Sequence, residues 1–125
     1  MYFERTSFGS ITISRTKYSH DVYLFISEPR IRKRDKSHSK RIQGHKELSK
    51  FELEQLINEK PEILIIGTGQ SGVLPLSEDT QLWLQDAVKQ NHIELIRDIT
   101  PEVLEKANSA LGSKKKVVGI FHTTC

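Results

Sequence analysis

Two short runs hold the residues whose types and spacing could do chemistry. Gly67-Thr68-Gly69-Gln70-Ser71-Gly72 fits G-x-G-x-x-G and follows the apolar run Ile63-Leu64-Ile65-Ile66 directly. In dinucleotide-binding folds such glycines let backbone approach a pyrophosphate that lies on a helix N-terminus. There the helix begins within the glycine run, whereas here Pro75 lies beyond it and helix-start signals come only at Ser77. Glu94 and Asp98 stand where a ribose-binding acid would be sought, without a compelling position. The loop therefore reads as a tight strand-to-helix turn needing positive φ, or as a small-anion site on loop amides, rather than as an NAD site. No cofactor is expected. The second run is His122-Thr123-Thr124-Cys125, where an imidazolium could lower a thiol pKa. An i, i+3 spacing in extended chain puts His122 and Cys125 on opposite faces, and the adjoining carboxylate would oppose a thiolate. A packed or fraying chain end is the preferred reading.

Other chemistry finds less support. The five histidines, His20, His38, His45, His92 and His122, form no short-spaced metal pair, and with Cys125 as the one cysteine no zinc-thiolate cluster or internal disulfide is expected. Asp21, Glu94 and Asp98 suggest no carboxylate pair on a helical face, so no glycosidase mechanism and no catalytic residue is assigned. Net charge is +3, but its source is local: residues 28–50 carry nine Lys or Arg against three acids. The rest of the chain is mildly acidic. Arg30, Arg32 and Arg34 would line one face of an extended segment, yet no aromatic residue lies between Phe25 and Phe51 for base stacking. A solvated loop is expected there, and nucleic acid is an unfavoured partner.

Positioning elements can be read around these residues. With 125 residues, 36% hydrophobic and 28% charged, the chain has the size and composition of one globular domain. It has no apolar run long enough for a membrane span and no secretory signal at its start, so a cytoplasmic location without membrane contact is expected. Phe8 to Ser14 alternates as one strand, with Ile11 and Ile13 inward and Phe8, Ser10, Thr12 and Ser14 on the other face. Val22 to Ser27 is a second strand, and Pro29 to Lys46 is a basic loop with at most one short edge strand. Ser49 and Glu52 make a capping box for a first helix. Ile63–Ile66 is an interior strand. Ser77 caps a second helix with Glu78 and Asp79 in its first turn, and Trp83 lies within it as a core or contact residue. A strand at 93–96 follows, then a third helix with Thr100 as N-cap, Pro101 at N1 and Gly112 as C-cap, and a closing strand at 117–121. From residue 63 the order is β-α-β-α-β, which favours a largely parallel sheet. Residues 1–48 read as a β-rich part and 49–125 as an α/β part of a single domain.

Ile63-Leu64-Ile65-Ile66-Gly67-Thr68-Gly69, Thr100 and Asn108 in Thr-Pro-Glu-Val-Leu-Glu-Lys-Ala-Asn, and the run Gly119 to Cys125 together resemble the domain of unknown function 498 family. Phe8-Gly9-Ser10-Ile11, Tyr18, Asp21-Val22 and His45 add to the likeness, which extends over nearly the whole chain and includes the adipogenesis-associated Mth type. The resemblance implies a three-layer α/β domain, a mixed central sheet flanked by helices, and an additional N-terminal antiparallel β element. It implies no established activity, cofactor or catalytic residue, and it suggests regulatory or assembly roles. The expected function is a non-enzymatic interaction, regulatory or assembly module with a protein partner or self-association. The alternative is a small-ligand or anion-binding protein using Gly67, Thr68, Gly69, Gln70 and Ser71 with His122 and Cys125. His45, Thr100 and Asn108 would then be supporting polar groups. Otherwise, Thr100 would be a helix cap and Asn108 a brace for its helix end.

Overall fold

A computed structural model describes residues 1–125. Three strands, β1 (Phe3–Ser7), β2 (Ser10–Ile13) and β3 (Thr16–Tyr18), form an antiparallel meander. β4 (Val22–Leu24) and β5 (Ile31–Lys33) follow, then a small hairpin of β6 (Arg41–Ile42) and β7 (His45–Lys46). The remainder is α1 (Lys50–Ile57), β8 (Ile63–Thr68), α2 (Glu78–Gln90), β9 (Glu94–Asp98), α3 (Thr100–Gly112) and β10 (Val117–His122). The central sheet has the order β5-β4-β10-β8-β9, with β10, β8 and β9 parallel and β4 and β5 antiparallel. β4 and β5 come from the first part of the chain, so this sheet crosses the boundary at residue 48. No helix is long and apolar enough to cross a membrane.

The apolar pattern explains the layers. β8 and β10 are buried along their whole length, as strands covered on both faces must be. On one face Ile63, Ile65, Val117 and Phe121 pack with Val103, Leu104 and Ala107 of α3 and with Phe3, Ile11 and Ile13 of the meander. On the other, Leu64, Ile66, Val118 and Ile120 meet Leu53 and Leu56 of α1 and Leu84 of α2. Trp83 joins this second cluster only partly buried, with the Lys50 ammonium 5.5 Å from its ring centroid.

The N-terminal strand is corrected. The single strand expected over 8–14 is two turns and a short strand: Gly9 at φ +86 turns β1 into β2, and Ser14 and Arg15 at φ +47 and +70 form a two-residue turn into β3. β2 lies in the middle of the meander, so Ser10 and Thr12 are buried along with Ile11 and Ile13, while Phe8 is exposed at the first turn. The basic stretch is also more ordered than expected, since it supplies β5, β6 and β7. Gly112 is the last residue of α3 and Ser113 its C-cap; the left-handed residue is Lys114 at φ +64.

Candidate functional site

From β8 the chain crosses through α2 to β9 on one side, and from β9 it returns through α3 to β10 on the other. The carboxyl ends of β8 and β10 therefore flank the switch point where ligands of open α/β sheets usually bind. The glycine loop and residues 122–125 meet there. The Gln70 amide donates to the Thr124 carbonyl at 2.7 Å, and the Ser71 and Val73 amides donate to the Cys125 carbonyl at 3.0 and 2.9 Å. Thr68 stands opposite His122 in the parallel register and donates to the Asp98 carbonyl at 3.1 Å. The Gln70 side chain reaches Thr6 Oγ1 at 3.0 Å. Gly69 has φ +105, and a Cβ there would lie 2.4 Å from the Cys125 carbonyl carbon and 2.7 Å from His122 Cδ2. Glycine is thus required both for the backbone angle and for the close approach.

Thr100 does not cap its helix. It lies within α3, whose N-cap is Ile99 without a side-chain cap bond. The buried Thr100 hydroxyl instead donates to the His122 carbonyl at 2.6 Å and accepts the Gly69 amide at 2.9 Å, tying helix, loop and β10 together. Asn108 does not brace its own helix end; it holds β1 by accepting the Phe3 amide at 2.8 Å and donating to the Phe3 carbonyl at 2.9 Å. His45 lies in the β6–β7 hairpin and makes no hydrogen bond to the loop. The structure therefore joins Gly67 to Ser71, Thr100, His122 and Cys125, and leaves Asn108 and His45 elsewhere.

Beside this junction lies a buried ionic network missed in the sequence. Asp21 Oδ2 accepts from His122 Nδ1 at 2.7 Å and Arg34 Nη1 at 3.0 Å, while Oδ1 accepts from the Thr123 amide and hydroxyl at 2.8 and 2.9 Å. On the other side of Arg34, Glu52 accepts Nε at 2.6 Å and Nη2 at 3.2 Å, and Oε1 also accepts from Tyr23 at 2.7 Å. Ser39, the Ser49 amide and the Ser49 hydroxyl complete the Glu52 shell. Burial disfavours ionised Asp21, but the donors of His122, Thr123 and Arg34 outweigh it and hold its carboxyl well below the usual range. Glu52 is likewise held below its ordinary value by Arg34 and Ser49 against the opposing effect of burial. Burial and the Glu52 charge push the Tyr23 hydroxyl upward. The solvated loop expected here is corrected at Arg34, which is 5% exposed and lies between two acids. Asp21 and His122 are 101 positions apart, and only the β4–β10 pairing brings them together. The available signal was the alternation of Arg30, Arg32 and Arg34 beside a strand, together with the capping-box glutamate Glu52.

This arrangement fixes groups more than it frees them. No buried side-chain nitrogen or oxygen lacks a partner. His122 has Asp21 at Nδ1 and the Thr124 hydroxyl 3.3 Å from Nε2, so both ring nitrogens face groups other than the Cys125 thiol. No set of three or more His, Cys, Asp or Glu side chains is placed to share a metal ion. At the opposite edge of the sheet β9 pairs with β8 alone, and a groove of about 520 Å³ runs between β9 and α3. Ile63, Ile96 and Ala110 line it with Glu94, Glu102 and Glu105 and with Lys106 and Lys115. None of these three glutamates has an ion-pair partner, whereas Lys106 pairs with Asp98 at 3.6 Å.

Residues 3–122 match the family described as "Protein of unknown function (DUF498/DUF598)". Among solved structures, a conserved hypothetical protein of Pyrococcus horikoshii OT3 is 31% identical, with both chains covered over 100% and a TM-score of 0.80. A protein called MT938 is 27% identical over 99% of this chain and 98% of its own, with a TM-score of 0.72. A Mth938-like domain of Bordetella pertussis shares the fold at 14% identity and a TM-score of 0.61, over 98% of this chain and 85% of its own. No curated protein matches.

Proposed function

Since the chain belongs to the DUF498/DUF598 family, a domain family of unknown function, we propose that it works as a non-enzymatic interaction module in the cytoplasm, docking an extended segment of a protein partner. The observation that carries this reading is the unpaired edge of β9 beside the groove against α3. An edge strand presents free backbone donors and acceptors, and an adjoining groove gives side chains of an added strand somewhere to go. The apolar floor of Ile63, Ile96 and Ala110 suits the apolar residues of an alternating segment, and the three unpaired glutamates, which outnumber the lining Lys106 and Lys115, favour Lys or Arg at its other positions. The internally bonded switch point supports the reading, because the loop amides and the Asp21–His122 pair already have partners. Ser109 is exposed and lines the groove, so Ser109→Arg should fill it without disturbing the core. Affinity purification from native cells should recover a stoichiometric partner with the wild type and lose it with this variant. Equal recovery by both chains, or no partner with either, would contradict the proposal.

A second reading places an acidic ligand at the glycine loop. It draws on the convergence of the Ser71 and Val73 amides on one oxygen, which is how a backbone cradle receives an anion. The Cys125 carbonyl occupies that cradle, so a ligand would have to displace residues 124 and 125. Alkylation of Cys125 across pH, with and without His122→Ala, tests whether the site also activates the thiol; an ordinary titration unchanged by the variant would count against it.

A further inference from the structure

A cavity of about 230 Å³ opens at the rim of the ionic network, away from both the β9 groove and the loop amides, and no apolar side chain lines it. We infer that it binds a small phosphate-class anion, either free phosphate or the head of a phosphomonoester. Its walls include Lys33, Lys36, Arg34, His20, Thr123 and Thr124. Lys33 and Lys36 are exposed, and neither side-chain ammonium has an ion-pair or hydrogen-bond partner in the protein. Two uncommitted ammonium groups beside one cavity attract an anion that can accept from both.

Arg34 gives the cavity a fixed rear wall. Of the five N–H bonds of its guanidinium, four have acceptors: Glu52 takes two, the Glu47 carbonyl one and Asp21 one. The remaining hydrogen is on Nη1, and the side chain is held rigid by these bonds in a 5% exposed position. His20 Nδ1 is 2.9 Å from the Asp21 carbonyl, which can only accept, so Nδ1 carries the hydrogen and spends it on that carbonyl, and the cationic donors of the site are Lys33, Lys36 and Arg34. Asp21 also borders the cavity, but its four accepted bonds turn its oxygens toward Arg34, His122 and Thr123. Counting Lys33, Lys36 and Arg34 against Asp21, the lining is cationic. The volume is the share of roughly eight water molecules at about 30 Å³ each, which suits a phosphate with a short ester substituent and is too small to enclose a nucleotide.

Amide NMR titration of the full chain with inorganic phosphate, and in parallel with O-phosphoserine, tests the site against sodium chloride at matched ionic strength. Saturable shifts centred on residues 33–36 and 123–124 are expected with phosphate and not with chloride. Lys33→Ala/Lys36→Ala should weaken that binding roughly tenfold. Both positions are exposed, and Lys33→Gln/Lys36→Gln gives the same comparison with longer side chains. Tighter binding of phosphoserine would assign an ester as the ligand class, and equal or weaker binding would assign free phosphate. Shifts that fail to saturate, that chloride reproduces, or that persist at the same affinity in both double variants would overturn the inference.

Discussion

Glu52→Gln isolates the energetic importance of the buried network, because it changes charge while nearly preserving shape. Glu52 is 0% exposed and accepts six hydrogen bonds, two on Oε1 from Arg34 and Tyr23 and four on Oε2 from Ser39, Arg34 and the amide and hydroxyl of Ser49. A glutamine presents an NH₂ group at one of those two positions. In either orientation it faces an Arg34 N–H, a donor that cannot turn to accept, and Arg34 retains only Asp21 as a buried counter-charge. Removing one partner of a buried pair costs about 3–5 kcal/mol. With a urea m-value of about 1–3 kcal/mol/M for a domain of this size, the unfolding midpoint should fall by roughly 2 M at unchanged slope. Adding Arg34→Met removes the stranded charge, so the double variant should be more stable than the two single losses predict. A Glu52→Gln loss below about 1 kcal/mol, or strict additivity in the cycle, would refute the reasoning.

The remaining predictions concern the same junction. Asp21 and Glu52 stay ionised in the fold below the pH of about 4 at which free carboxyls take up protons, so the unfolded chain binds protons first and stability should fall as pH drops through that range. Chemical unfolding at stepped pH should show this, with a shallower fall for Glu52→Gln; a flat profile below pH about 4 would contradict it. Gly69→Ala should destabilise far more than Gly72→Ala: both positions have positive φ, but only at Gly69 would the new Cβ lie under 3 Å from backbone. Equal urea midpoints for the two would remove the argument for close packing. Thr100→Val keeps shape but orphans the Gly69 amide and the His122 carbonyl, and should cost about 1–3 kcal/mol by urea unfolding. A surface-like change of a few tenths would show that the hydroxyl is dispensable.

Much of the scaffold was legible because local rules acted locally. Ser49 and Glu52 form the capping box that their spacing suggests, Ser77 caps α2, and the all-apolar run at Ile63–Ile66 lies at the centre of the sheet. The same Glu52 shows where local reading stops. Its cap role was visible, but its pairing with Arg34 depends on β5 carrying Arg34 back across the sheet toward α1. Arg34 sits in a run of half-buried and exposed basic residues, and composition alone could not separate the one fully buried member from the others. Thr100 failed for a different reason. A Thr before Pro satisfies the cap rule in sequence, yet its hydroxyl bonds to two segments more than 20 residues away. The glycine loop was legible as a site where backbone must approach closely, but the group that approaches is the chain's own residues 124 and 125.

Native mass spectrometry of the protein gently purified from its own cells tests the interaction reading most directly, since it weighs partner chains and small ligands together. The account predicts a discrete added subunit on the wild type that is absent from Ser109→Arg. A chain without any added subunit, carrying instead a ligand that Gly69→Ala abolishes and Ser109→Arg leaves in place, would contradict it and return function to the glycine loop.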